Sequence, residues 1–183
     1  MNNERGRFEA LALPHLDAAY NLARWLARSP ADADDIVQDA MLRAFRGFAV
    51  FRGGDMRAWL LAIVRNCAIT AGRKIRGRRE DGLPGETNER GAHLTLVAQE
   101  PDPEHVAIGA DIGRNLNAVV AGLPEEFREV LILREMEELS YREIAEITGA
   151  PIGTVMSRLA RARMLVREQW LHHVEGRAQH GMR

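Results

Sequence analysis

The chain has 183 residues, 46% of them hydrophobic and 28% charged, which is a globular profile with enough apolar material for a core. A single cysteine, Cys67, excludes an internal disulfide framework and a cysteine-cluster metal site. No apolar run approaches the roughly 18 residues of a membrane span, the start from Met1 to Arg7 is polar, and aromatics at 5% are too few for a base-stacking platform, so a cytoplasmic protein without membrane insertion is expected.

In chain order, residues 8–79 read as helix after helix. Leu11, Leu16, Ala19, Leu22, Ala23 and Leu26 recur at helical spacing and predict a first buried stripe. A second helix starts at Ser29-Pro30-Ala31-Asp32, where serine caps, proline suits the first turn and the acid completes a capping box. Its predicted buried side is Ile36, Val37, Ala40, Met41, Ala44 and Phe45. Phe51 to Asp55, with Gly53 and Gly54, breaks the pattern as a loop. Trp59, Leu60, Ile63, Val64 and Cys67 then open a third helix, apolar on most sides. Residues 80–111 hold glycines, prolines and acids without periodicity and read as a linker. Residues 112–171 are helical again. The expected fold class is all-α: two small helical domains on a flexible acidic tether.

The net charge of −1 conceals segregation. Residues 1–79 carry +6, residues 80–111 carry −7, and residues 112–183 balance. Arg57 to Arg79 contains seven basic residues and no acid, and Ile152 to Arg167 contains four arginines and no acid. Two acid-free basic stretches in separate halves fit two contacts with a polyanion, although solvated helix faces would look the same.

Residues 139–168 are the most informative. Ser140 and Glu143 have capping-box spacing, with Leu139 and Ile144 placed for a hydrophobic staple. Gly149 suits a left-handed helix end and Pro151 the start of the next helix. On a wheel of about 100° per residue, Val155, Leu159, Ala162 and Val166 share the core side. Ser157, Ala160, Arg161 and Met164 lie opposite, flanked by Met156, Arg163 and Arg167, while Arg158 sits nearer the core edge, within reach of phosphate or a neighbouring acid. A short helix, a glycine turn and a basic second helix make a helix-turn-helix, whose second helix fits the major groove.

These residues resemble the extracytoplasmic-function (ECF) sigma factors of the sigma-70 family. The matching stretches are Ala33 to Phe45, Arg57 to Asn66, Leu123 to Val130, and Leu139 through Arg163, in the family's order across both helical blocks. The resemblance implies sigma region 2 over 8–79, which binds the β′ clamp helices of core RNA polymerase and melts the −10 element. It implies region 4 over 112–171, which binds the β flap and reads the −35 element. The implied polymerase surface is Asp35, Gln38, Asp39 and Leu42 on the outer side of the second helix, also lined by Arg46. A leucine ringed by polar groups suits a protein contact. The implied −10 residues are Asn66, Thr70 and Arg73, which share a face, with Arg65, Arg73, Lys74, Arg76, Arg78 and Arg79 holding phosphates. The implied −35 residues are Ser157 and Arg161 toward bases, with Thr154, Arg158 and Arg163 as phosphate or positioning contacts, and Met156 on the same helix, where the family's −35 specificity does not carry over. Family members often carry lysine or arginine where Met156 stands; methionine removes a charged contact but fits a thymine methyl. The resemblance also implies an anti-sigma partner, often membrane-bound in the family, that occludes the polymerase-binding surfaces.

Other classes have weaker support. Asp32, Asp34, Asp35 and Asp39 resemble a Mg²⁺ site, yet acids gather at a helix N-terminus because its dipole favours them. Adjacent His172 and His173 point to different sides of a helix. Neither a metal, a cofactor nor an enzyme active site is expected. A non-initiating DNA-binding regulator and an anti-sigma mimic are the remaining alternatives.

Overall fold

The computed structural model describes residues 2–80, 113 and 115–180, with side chains over 4–73, 113, 115–172. The predicted linker therefore lies almost wholly outside the described residues. The N-terminal block holds α1 (Asn2–Ala12), α2 (Leu16–Leu26), α3 (Pro30–Gly47) and α4 (Met56–Glu80). The C-terminal block holds α5 (115–121), α6 (Glu125–Glu135), α7 (Tyr141–Thr148) and α8 (Ile152–His180). Among the described residues there is no strand.

The first predicted helix is broken. A 3-10 turn at Leu13–His15 separates α1 from α2, at the point where Pro14 removes a backbone N–H. The break turns Leu11 and Leu16 outward, contrary to the buried stripe expected of them, while Ala19, Leu22 and Ala23 are buried. In α3 the Ser29 Oγ accepts from the Asp32 N–H at 3.1 Å, and Ala33, Ile36, Val37, Ala40 and Ala44 face the core. Phe45 departs from its predicted burial: it stays half exposed, its ring set edge-on to Phe8 at 5.3 Å. The loop before α4 turns through Gly53 and Gly54 at φ 92° and 107°, values that a side chain would strain. Asp55 then caps α4, its Oδ1 accepting from the N–H groups of Arg57 (2.8 Å) and Ala58 (3.2 Å).

Helices α2, α3 and α4 pack on one another, as do α6, α7 and α8. The two blocks also meet, α4 against α7 and α2 against α6. Apart from Val119, the buried apolar side chains described form one cluster running from Phe8 to Ala162. Among the described residues two carboxylates are buried, Glu129 and Glu137, and each pairs with an arginine of α4.

Candidate nucleic-acid interface

Local chemistry sets the α7–α8 angle. The Ser140 Oγ accepts from the Glu143 N–H at 3.3 Å, and Glu143 Oε2 accepts from the Ser140 N–H at 2.7 Å, so the capping box closes in both directions. At the other end of α7 the Thr148 hydroxyl donates to the Ile144 carbonyl at 2.7 Å, and Gly149 turns the chain at φ 67°. The Pro151 carbonyl accepts from the N–H groups of Thr154 and Val155, starting α8. Ile144, Ile147, Val155, Leu159 and Ala162 are buried, which fixes the two helices against each other.

The outer side of α8 presents Gly153, Met156, Ser157, Ala160, Arg161, Arg163, Met164 and Arg167 to solvent. Not all of its polar groups point outward unengaged. The Ser157 hydroxyl donates to the Thr154 carbonyl at 2.9 Å. Arg158, half-buried as its place near the core edge predicts, pairs with Glu126 at 2.9 Å. Arg163 donates to Glu135 Oε1 at 3.0 and 2.6 Å, and that bond raises its already high pKa. Arg161 lies against the Met164 sulfur at 3.8 Å. Thr154 is half-buried.

On α4, Asn66 and Arg73 are exposed, and the Thr70 hydroxyl donates to the Asn66 carbonyl at 2.8 Å. The side chains of Lys74 and Arg76 lie outside the described residues. Arg65 stands apart from the other expected −10 residues. Its guanidinium pairs with Glu129 of α6 and is only 17% exposed. Arg57 pairs with Glu137 and also donates to the Glu137 carbonyl at 2.7 Å. Both acids escaped the sequence reading. An acid beside the apolar run Val130–Leu133 is a faint signal for Glu129, and nothing local marks its partner 64 residues away.

On α3, Asp35, Gln38, Asp39 and Arg46 surround Leu42, which is 56% exposed. Asp39 pairs with Arg43 at 2.8 Å. Phe45, one turn on, extends the apolar spot beyond what the sequence indicated. Among the described residues, no three His, Cys, Asp or Glu side chains gather as a metal site, and no helix is long and apolar enough to cross a membrane.

Among the described residues, an all-helical architecture with an arginine-rich helix-turn-helix in one block and a long basic helix in the other is that of a helix-turn-helix DNA-binding protein. Residues 11–79 match Sigma-70 region 2 and residues 113–166 match Sigma-70, region 4. The chain is 33% identical over 173 residues to the ECF RNA polymerase sigma factor SigE of Mycolicibacterium smegmatis, covering 94% of this chain and 65% of that relative's length. It is 34% identical over 137 residues to the ECF RNA polymerase sigma-E factor of Escherichia coli, covering 72% and 70%. A solved structure of the sigma factor RpoE, in complex with the anti-sigma factor NepR from Bartonella quintana, is similar with a TM-score of 0.73 at 28% identity, over 90% of this chain and 96% of that one. The chain belongs to the ECF sigma factors of the sigma-70 family.

Proposed function

We propose that this protein is an alternative sigma factor that binds core RNA polymerase, directs it to promoters with spaced −35 and −10 elements and promotes melting of the latter. The carrying observation is the capped helix-turn-helix, with the outer row of α8 open to solvent, in the same chain as the region 2 match. In this reading residues 8–79 act as region 2, 80–111 as linker and 112–171 as region 4. Met156, Ser157 and Arg161 face −35 bases, with Thr154, Arg158 and Arg163 at phosphates or positioning the helix. Arg158 and Arg163 first have to leave, or share, Glu126 and Glu135. Asn66, Thr70 and Arg73 meet the separated −10 strand, and Arg65, Lys74 and Arg76 hold its phosphates. Preferential binding of that strand offsets an unstacking cost of a few kcal/mol, so melting needs no chemistry from the protein. Asp35, Gln38, Asp39 and Leu42 dock on the β′ clamp helices, and the C-terminal block docks on the β flap.

The protein is not an enzyme, takes no cofactor or metal, and works in the cytoplasm. An anti-sigma factor holds it in check, as the complex of RpoE with NepR illustrates for another protein of this fold. The test is transcription in vitro with bacterial core polymerase and a pool of genomic promoter fragments. Starts that share two spaced elements, and that are lost with Asn66→Ala or Arg161→Ala, are expected. Polymerase binding without any core-dependent start would replace initiation with a mimic or sequestering role.

A further inference from the structure

The first turns of α8 carry a row of exposed apolar side chains. Ile152 is 47% exposed, Met156 is 51% exposed and Ala160 is exposed, and the three follow one another at i, i+4, i+8. Met164 adds a further exposed apolar side chain on the outer side. The polar groups around this row are largely occupied. Ser157 is bonded to the Thr154 carbonyl, Arg158 to Glu126 and Arg163 to Glu135. At Gly153 a Cβ would meet nothing within 4 Å, so the groove edge can come close to the first turn.

The occupant of such a row follows from its setting. It lies on the second helix of a helix-turn-helix, on a segment with four arginines and no acid, which favours the DNA major groove over an apolar protein. In that groove the base-edge group that offers apolar contact is the C5-methyl of thymine. Guanine and adenine present acceptor atoms that a methionine, which has no side-chain donor, cannot pair with, and burying those acceptors against a thioether would leave them unsatisfied. Methionine is also flexible enough to adapt to a methyl whose position varies with local DNA shape.

We propose that this protein reads its −35 element in part through thymine methyl groups, with Met156 as the specificity-determining residue and Ile152 and Ala160 as its apolar neighbours. This rests on the initiation role and names the chemistry that one face of the recognition helix selects.

Replacing thymine by deoxyuridine deletes the methyl and leaves base pairing intact. The −35 element is first defined with a randomised library in core-dependent transcription, and each of its thymines, on either strand, is then replaced singly by deoxyuridine. Wild type should lose about fourfold in open-complex formation at one position, the effect of removing one buried methyl-sized group. Met156→Ala should use thymine and uracil there equally while starting at the same nucleotide. Met156→Leu should keep the discrimination, and Met156→Arg should move the preference toward guanine. Because Met156 is exposed, thermal melting of the variants should match wild type, separating lost contact from lost fold. Equal use of thymine and uracil by wild type at every −35 position, or full discrimination by Met156→Ala, would overturn the inference and leave initiation standing. No core-dependent start from wild type would remove both.

Discussion

At the scale of single residues, exposure separates docking groups from structural ones. Leu42 contributes little to the core, so Leu42→Asp should change stability by less than about 0.5 kcal/mol. If Leu42 meets polymerase, the same change should abolish co-elution with core enzyme; retained co-elution would remove it from that surface. Cys67 behaves in the opposite way. It is 3% exposed, and burial, followed by the nearby Asp39 carboxylate, pushes its thiol up from 9.0 to about 11. The folded protein holds the neutral thiol, so this contribution to stability is complete below pH 9 and is lost as pH rises toward 11. Urea unfolding should therefore show the gap between wild type and Cys67→Ser narrowing from pH 8 to pH 10.5, and alkylation at pH 8 should be slow until the protein is denatured. The cysteine's burial was legible from the apolar helix around it. The exposure of Leu11, Leu16 and Phe45 was not, because periodicity identifies a helix face without saying which parts of it a neighbour covers.

At the scale of elements, the punctuation of the C-terminal block was readable in advance. Serine, glutamate, glycine and proline at fixed offsets specify where α7 starts, where it stops and where α8 begins, and their hydrogen bonds are local. Gly149 isolates one of these choices. Its φ of 67° strains any residue with a Cβ, yet an added Cβ would meet nothing within 4 Å. Gly149→Ala should thus cost about 1 kcal/mol through backbone conformation alone, seen as a lower melting temperature without a repacked core. A melting temperature at or above wild type would contradict the left-handed turn. The break between α1 and α2 was missed although Pro14 marks it, since the apolar spacing continues across the proline.

At the scale of the whole molecule, the contact between the blocks was not legible at all. Arg57 and Arg65 read as part of a basic stretch suited to nucleic acid, and only the folded chain brings Glu137 and Glu129, 80 and 64 residues on, against them. The two acids are buried, while the arginines keep partial access to solvent. Removing the acidic charge strands a poorly solvated guanidinium, so Glu129→Gln combined with Glu137→Gln should weaken the contact by up to about 3 kcal/mol for each pair. Distances between labels on α3 and α8 should lengthen in the free double variant, and its affinity for promoter duplex should rise. Unchanged distances would show that apolar packing alone holds the blocks together. The wild-type chain alone should bind duplex poorly, since its net charge is −1 and the Arg65 cation is already engaged.

That engagement sets a rule for how the protein responds to its own abundance. On the proposed assignment, Glu129 and a promoter phosphate compete for one guanidinium. The competitor is carried in the same chain, so its effective concentration is set by the intervening residues and not by how much protein the cell makes. Raising or lowering expression changes the number of molecules but leaves the closed fraction of each unchanged. Only a ligand that favours the open form can shift that fraction, and the factor by which it does so equals the factor by which closure weakens that ligand's binding.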